Sequence, residues 1–320
     1  MRAASTCRVA VVQAAPSLFD LPETLGRFEA LLTESVAGGA DLVVFPEAFI
    51  GGYPKGATFG ATVGERTDDG RALFARYRRS AIDIPGDTFD ELRATVARCR
   101  AHVVLGVVER AGHTLYCTAL LIAPDGTLLG QHRKLVPTGT ERLIWGQGDA
   151  ADVAVVDTDL GVVGMAICWE NYMPLYRTAL YQRGVQLYCA PTVDCRDTWA
   201  ATMRHIGIEG RCFVVSATQF AVRDDYPPDF PLGLSLGADQ VVIRGGSCVV
   251  DPFGRFLAGP VFDRREVLFA DLDLAVLDGA YLDLDVVGHY ARPDLFQLAV
   301  TRAPARAGSA RPDRPAPPES

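Results

Sequence analysis

Three stretches of the sequence place a chemically able side chain at the end of a strand-like run. Glu47 follows an apolar run and Pro46, Cys168 ends another apolar run, and Lys134 follows a more polar one. A thiol is a nucleophile, a carboxylate can accept its proton, and an ammonium group can stabilise negative charge. Because ligands of open α/β sheets bind at the carboxyl ends of strands, these positions indicate a candidate site.

Taken singly, each of these residues also has an ordinary structural interpretation. A glutamate at a strand end is usually a solvated loop residue, and a free cysteine is usually a small buried hydrophobe. Lys134 lies beside Arg133 and would ordinarily be surface charge. The five histidines show no metal-ligand spacing, so we interpret His205 as an internal hydrogen-bonding residue and not as a ligand.

The segment after Lys134 is a loop rich in proline and glycine that carries Glu141, and such a loop can wrap a pocket. By itself, Glu141 would be expected to pair with a nearby arginine. The aromatic residues Tyr53, Trp145 and Trp169 lie close to the candidate acids in the sequence. Aromatic side chains most often pack in a core, but these three can also form the walls of a substrate pocket.

Strand-like runs alternate with helix-like segments, which predicts sheets covered by helices and two similar halves. Gly38 and Gly39 supply the stop signal of the first helix. Asp125 and Gly126 mark the turn of a hairpin over 114–134. The predicted strands are 8–15, 41–48, 102–110, 161–168, 185–192 and 213–219, with a second hairpin over 245–260. The predicted helices are 21–40, 88–101, 173–184 and 198–212.

Composition restricts the classes of partner and compartment. With a formal net charge of -8 and a pI near 5.2, the chain lacks the basic surface that nucleic-acid binding requires. No apolar segment approaches the roughly 18 residues of a membrane helix. The eight cysteines form no C-x-x-C pair, which favours reduced thiols and a cytoplasmic location. Residues 301–320 are rich in Pro, Ala and Arg, which predicts a disordered tail.

Taken together, three blocks resemble the signature motifs of the nitrilase family, within the carbon–nitrogen hydrolase superfamily. They are "VFPEAFIGGYPKG", "HRKLVPTGTERLIWGQGDA" and "GMAICWENYMPL", in the order glutamate, lysine, cysteine. The resemblance continues through "LYCAPTVD", "MRHIGIEGRCFVVSATQ", "GGSCVVDPFG" and "GHYARPDLFQL" and covers nearly the whole chain up to the tail. It implies one α/β domain over 1–300, a four-layer αββα sandwich, with no metal or organic cofactor.

The resemblance implies that Glu47, Lys134 and Cys168 form a catalytic triad. Cys168 is expected to be the nucleophile and Glu47 the general base, while Lys134 stabilises a thiolate and the developing anionic nitrogen. Glu141 matches a fourth acidic residue, expected to orient Lys134 and the substrate, and the Trp169 backbone N–H is a further donor. The expected substrate-binding residues are Tyr53, Trp169, Pro191 and Thr192.

The preferred hypothesis is a nitrilase that acts on a small aliphatic or aromatic nitrile through a thioimidate and a thioester. The sequence Trp169-Glu170-Asn171 resembles true nitrilases, whereas amidase branches commonly differ there. The alternatives are a cyanide hydratase or dihydratase, an amidase with the same triad, or a catalytically silent binding or assembly protein. The resemblance also implies a homo-oligomer, either a dimer or a spiral. We expect segment 221–240 at a subunit contact or over the pocket mouth.

Overall fold

Two mixed β-sheets form the centre of the protein in a computed structural model that describes residues 6–150, 153–237 and 239–301. The strands are β1 (Thr6–Gln13), β2 (Leu42–Val44), β3 (Ile82–Asp83), β4 (His102–Ala111), β5 (Thr114–Ile122), β6 (Leu128–Arg133), β7 (Val155–Thr158), β8 (Gly161–Met165), β9 (Leu187–Cys189), β10 (Phe213–Ser216), β11 (Phe220–Val222), β12 (Val241–Val250), β13 (Phe256–Phe262) and β14 (Glu266–Asp273). The first sheet has the order β14-β1-β2-β4-β5-β6 with β3 beside β4, and the second has the order β11-β12-β10-β9-β8-β7 with β13 beside β12.

The described residues form the helices α1 (Leu21–Ala37), α2 (Asp68–Ser80), α3 (Asp87–Cys99), α4 (Pro174–Tyr181), α5 (Asp197–Gly210) and α6 (Val276–Ala280). Helices α1, α3, α4 and α5 cover the outer faces of the sheets, whereas Tyr77 of α2 and Leu277 of α6 join the core between the sheets. One buried cluster joins α1 and α3 to the first sheet, and another joins α4 and α5 to the second. A third cluster lies between the two sheets, which confirms the predicted four-layer αββα sandwich.

The alternating direction of successive side chains along the central strands produces this layering. In β1, Val9 and Val11 pack between the sheets, whereas Ala10 and Val12 pack against the helices. Successive side chains of a strand point to opposite faces, so a strand that is covered on both faces reads as a continuous apolar run. The predicted strands and helices of the sheet core are therefore found, although β2 and β9 have only three residues each where eight were predicted.

Some elements were absent from the sequence prediction. Helix α2 is polar and arginine-rich, and among its residues only Gly70, Tyr77 and Ser80 are buried, so its apolar period is weak. Strand β14 was also missed, although it pairs antiparallel with the whole of β1. The predicted tail lies outside the described residues, apart from Thr301.

The described residues also bear on the membrane and disulfide predictions. Among them, no helix has both the length and the apolar character that a membrane span needs. All eight cysteines are free thiols, and six of them are buried.

Candidate active site

Glu47 lies at the end of β2, where the chain leaves the first sheet and passes over β4. Its side chain is completely buried, and the Gln219 side chain donates a hydrogen bond of 2.8 Å to its backbone carbonyl. The crossing requires a glycine below it, because a Cβ at Gly106 would lie 2.1 Å from the Pro46 carbonyl oxygen. The close approach of these two segments fixes where the carboxylate is presented.

Cys168 is the first residue of a short 3-10 helix, Cys168–Tyr172, that follows β8. Its φ angle is +50°, a left-handed conformation that costs a non-glycine residue about 1–3 kcal/mol. The conformation is held from both sides: the Cys168 N–H donates to the Pro191 carbonyl at 2.9 Å, and the Asn171 side chain donates to the Cys168 carbonyl at 2.7 Å. A strained, well-held backbone at a thiol indicates a functional position.

Lys134 lies between two carboxylates directly after β6. Its ammonium group donates to Glu47 Oε1 and to Glu141 Oε2, both at 2.7 Å, and lies 5.7 Å from the Trp145 ring centre. Glu141 is on a 3-10 helix, Gly139–Leu143, where the sequence predicted a loop. It also accepts the Tyr53 hydroxyl at 2.9 Å. Glu47, Lys134 and Glu141 therefore form one continuous buried network.

A cavity of about 400 Å³ opens above this network. Cys168, Glu141, Tyr53, Trp145 and Trp169 line it, so two of the four predicted substrate-binding residues are in the wall. The remaining lining residues are Pro54, Lys55, Gly56, Ala57, Phe59, Thr138, Thr140, Ile144, Val193, Asp194, Cys195 and Arg196. Each predicted triad residue therefore lies in the cavity or in direct contact with a residue that lines it.

Pro191 and Thr192, the other two predicted substrate-binding residues, are not among the lining residues. They lie behind the thiol: the Pro191 carbonyl accepts the Cys168 N–H, and burial raises the pKa of the Cys168 thiol, which a hydrogen bond with the Thr192 side chain offsets only in part. The chain reaches the cavity one residue later, at Val193 and Asp194. Pro191 and Thr192 therefore support the nucleophile from behind.

Trp169 forms the outer wall with its indole partly exposed. Its ring N–H donates to Asp194 at 2.9 Å, and the Arg196 guanidinium stacks over the ring at 4.8 Å while it pairs with the same aspartate. The part of segment 221–240 around Tyr226 packs behind Tyr53, where the Tyr226 hydroxyl donates to the Tyr53 carbonyl at 3.2 Å. The segment therefore supports the wall of the cavity that Tyr53 forms.

Comparison with known proteins places this geometry in a family. The carbon–nitrogen hydrolase family model matches residues 8–280. An aliphatic nitrilase of Sinorhizobium fredii is 52% identical over 300 residues, which cover 94% of this chain and 97% of the relative. Nitrilase 3 of Arabidopsis thaliana is 47% identical over 94% of this chain and 89% of its own length. The chain belongs to the nitrilase family of carbon–nitrogen hydrolases.

Other matches agree with this membership. The bifunctional nitrilase/nitrile hydratase NIT4B of Nicotiana tabacum is 51% identical over 92% of this chain and 86% of its own length. Among solved structures, the Nit3 protein of Saccharomyces cerevisiae superposes with a TM-score of 0.69 at 19% identity, covering 91% of this chain and 99% of that one. At that identity the superposition shows the shared fold alone.

The charges of this nitrilase-family site are unbalanced, with one ammonium group between two carboxylates. Burial opposes the charge of Lys134, but Glu47 and the other anionic groups around it raise its pKa well above the usual value, so Lys134 stays protonated. Burial raises the pKa of Glu47, and Glu141 adds to the rise, while Lys134 opposes it. Glu47 is therefore a stronger base than an exposed glutamate.

The same surroundings act on the nucleophile. Burial raises the pKa of Cys168 and the Glu47 carboxylate raises it further, which outweighs the lowering by the Lys134 ammonium. The thiol is therefore protonated at neutral pH in the free protein. Its proton has to leave as the sulfur attacks.

Two features of the site were not predicted from the sequence. Cys117 on β5 donates its thiol proton to Glu47 Oε1 at 3.5 Å, and its carbonyl accepts the Lys134 N–H at 2.8 Å. The predicted hairpin turn contained the signal, because a turn centred on residues 125 and 126 places residue 117 opposite residue 134. The second missed feature is a buried pair of His132 and Glu170, whose side chains meet at 2.7 Å. No pairing of these two was predicted.

Proposed function

We propose that this protein hydrolyses an organic nitrile to the carboxylic acid and ammonia, with Cys168 as the nucleophile. One observation supports this above the others: the Cys168 thiol and Glu141 line one cavity, and the Lys134 ammonium joins Glu141 to Glu47 beside it. A nitrile carbon is a weak electrophile, so its attack needs a soft and strong nucleophile such as sulfur. The relatives named as nitrilases support the same substrate class.

The first step forms a bond between the Cys168 sulfur and the nitrile carbon. Glu47 takes the thiol proton, and its Oε2 atom is suited to this because it has no hydrogen-bond partner among the described residues. The nitrile nitrogen gains negative charge, which the Lys134 ammonium stabilises and neutralises by proton transfer. The product of this step is a neutral thioimidate.

Glu47 then passes the thiol proton to the neutral Lys134 amine, which lies 2.7 Å from its Oε1, and this restores the carboxylate and the ammonium. Water adds to the thioimidate carbon with Glu47 accepting its proton. When the tetrahedral species breaks its carbon–nitrogen bond, ammonia leaves and a thioester remains. A second water releases the carboxylic acid and regenerates the thiol, so two waters are consumed for each nitrile. The Trp169 backbone N–H, next to the nucleophile, is proposed as a further donor to the developing charge. Glu141 holds the lysine between these steps.

Amide release is the second outcome that the same intermediate permits. If the tetrahedral species breaks its carbon–sulfur bond instead, the amide leaves after one hydration. The NIT4B relative of Nicotiana tabacum is named a bifunctional nitrilase/nitrile hydratase, so we propose the amide as a minor product. A test of the function must therefore quantify both acid and amide.

The test is a panel of aliphatic and aromatic nitriles, cyanide and amides, with ammonia, acid and amide quantified. Wild-type protein is expected to release ammonia and acid from nitriles, and Cys168→Ala to lose this activity by about 10³-fold or more. Cys212→Ala is the matched control, because Cys212 is equally buried but packs between helix and sheet outside the cavity. Full activity of Cys168→Ala, or turnover of amides or cyanide alone, would refute the assignment.

We also propose a homo-oligomer in the cytoplasm. Free, separated thiols support the compartment. Exposed apolar side chains late in the described chain support association, because Leu282, Leu295 and Phe296 are 84%, 61% and 77% exposed. Light scattering of the purified protein would give its mass, and a monomer at all concentrations would contradict association.

A further inference from the structure

Glu170 is a fully enclosed carboxylate that does not line the cavity. Three donors surround it: the Ile167 N–H lies 2.7 Å from Oε2, the His132 ring Nε2 lies 2.7 Å from the same oxygen, and the Leu135 N–H lies 2.6 Å from Oε1. Short bonds to an ionised acceptor are among the stronger hydrogen bonds of proteins. Both carboxylate oxygens are therefore engaged.

The two backbone donors belong to the two segments that carry the chemistry. Ile167 immediately precedes Cys168, and Leu135 immediately follows Lys134. One oxygen of Glu170 therefore binds the segment of the nucleophile, and the other binds the segment of the lysine. These segments come from different sheets, since Lys134 follows β6 of the first and Cys168 follows β8 of the second.

We propose that Glu170 is a positioning residue that sets the distance between the Cys168 sulfur and the Lys134 ammonium by fastening both backbones to one carboxylate. The proposal rests on the proposed function, because it assigns to Glu170 the alignment of that same site. His132 fixes the carboxylate in turn, and the Tyr176 ring stacks on the imidazole at 5.4 Å. Glu170 itself touches no substrate.

A carboxylate is the group that this position needs. Its oxygens only accept hydrogen bonds, and every hydrogen-bond partner named above donates to it. A glutamine of the same shape has one oxygen and one amino group, so its amino group must face a backbone N–H in either orientation. Glu170→Gln therefore breaks one of the two backbone attachments while it changes almost no volume.

The test compares Glu170→Gln with wild type on a nitrile that the wild type hydrolyses, with kcat expressed per site titrated in a single-turnover burst of ammonia. We expect kcat to fall roughly 100-fold with little change in KM, because misplacement by about 1 Å at a reacting centre has an effect of that size. The acid limb of kcat/KM is expected to move to higher pH, because a displaced Lys134 lowers the pKa of Glu47 less.

Asp251→Ala is the matched control for a merely structural effect. Asp251 is also buried, and its Oδ1 accepts the backbone N–H groups of Phe253 and Arg255 at 2.9 and 2.8 Å in a turn that does not line the cavity. We expect it to lower the midpoint of denaturation and to leave kcat per titrated site and the acid limb unchanged. If Glu170→Gln behaves like Asp251→Ala, Glu170 is a stabilising residue only and the proposal is wrong.

A second readout does not depend on nitrile turnover. The rate at which iodoacetamide alkylates Cys168, followed by peptide mass spectrometry, reports how easily the thiol loses its proton to its neighbours. We expect Glu170→Gln to slow this alkylation by about tenfold.

If wild type hydrolyses no nitrile but Glu170→Gln still slows alkylation, the proposed function fails and the positioning stands. If the glutamine variant does not fold, Glu170→Asp, which keeps the charge but is too short to reach both segments, is tested identically, and a wild-type rate overturns the proposal.

Discussion

Two buried clusters of ionisable side chains draw on the same two segments of the chain, yet only one of them faces the cavity. The end of β6 contributes His132 to one cluster and Lys134 to the other, and the short helix after β8 contributes Glu170 and Cys168 in the same way. Residues two apart in the sequence thus serve an enclosed cluster and an open one. The difference between the clusters lies in how completely their hydrogen bonds are made.

In the enclosed cluster, both oxygens of Glu170 are bonded to donors. In the open cluster, Glu47 Oε2 lacks a partner among the described residues, and one ammonium group must balance two carboxylates. A satisfied carboxylate fixes its surroundings, whereas an unsatisfied one of raised pKa retains the capacity to accept a proton. Of these two buried carboxylates, the one with an unpaired oxygen is the one at the catalytic cluster, so it retains a site for a proton.

The largest expected effect comes from Glu47→Gln, which removes the base of the open cluster while its amide oxygen can still accept the Lys134 ammonium. We expect kcat on a nitrile to fall about 10³-fold, because the thiol loses its proton acceptor. The unfolding transition should change little, since one of two repelling carboxylates is gone. Steady-state assays and chemical denaturation measure both quantities. A variant that keeps a tenth of wild-type kcat would show that another group takes the proton.

Glu141→Gln is expected to have an intermediate effect, chiefly on the pH profile. The Glu141 charge raises the pKa of Glu47, so its removal lowers that pKa. Glu47 acts as a carboxylate, and kcat/KM falls as the pH drops through its pKa. The acid limb should therefore move to lower pH, while kcat falls about tenfold as Lys134 loses one charged partner.

Tyr53→Phe is the control for that experiment. It removes the hydroxyl that donates to Glu141 at 2.9 Å but keeps the Glu141 charge. We expect its acid limb to stay near that of wild type even if KM rises. An equal shift in both variants would assign the effect to the hydrogen bond and not to the charge.

The sequence predicted the open cluster better than the enclosed one, for a physical reason. Glu47, Lys134 and Cys168 are recognisable because each ends a strand-like run, and the three blocks around them match a known family. Glu170 was identified only as part of a motif, because its role depends on the Leu135 backbone, which the packing of one sheet against the other, and not sequence spacing, brings near. Pro191 and Thr192 were assigned to the pocket for a related reason: alternation predicts a strand end but not which residue first reaches the cavity.

The smallest effect on activity is expected from Tyr176→Phe, at the far side of the enclosed cluster. The Tyr176 hydroxyl donates to the Met165 carbonyl at 2.6 Å, so its loss should lower the free energy of unfolding by about 1 kcal/mol. Phenylalanine keeps the ring that stacks on His132 but removes the hydroxyl that lies 3.2 and 3.5 Å from the two imidazole nitrogens, while both backbone donors to Glu170 are unchanged. We therefore expect kcat within about twofold of wild type and an unmoved acid limb. A loss of kcat as large as that of Glu170→Gln would show that the positioning network includes this hydroxyl. A loss of stability alone would show that the network ends at His132.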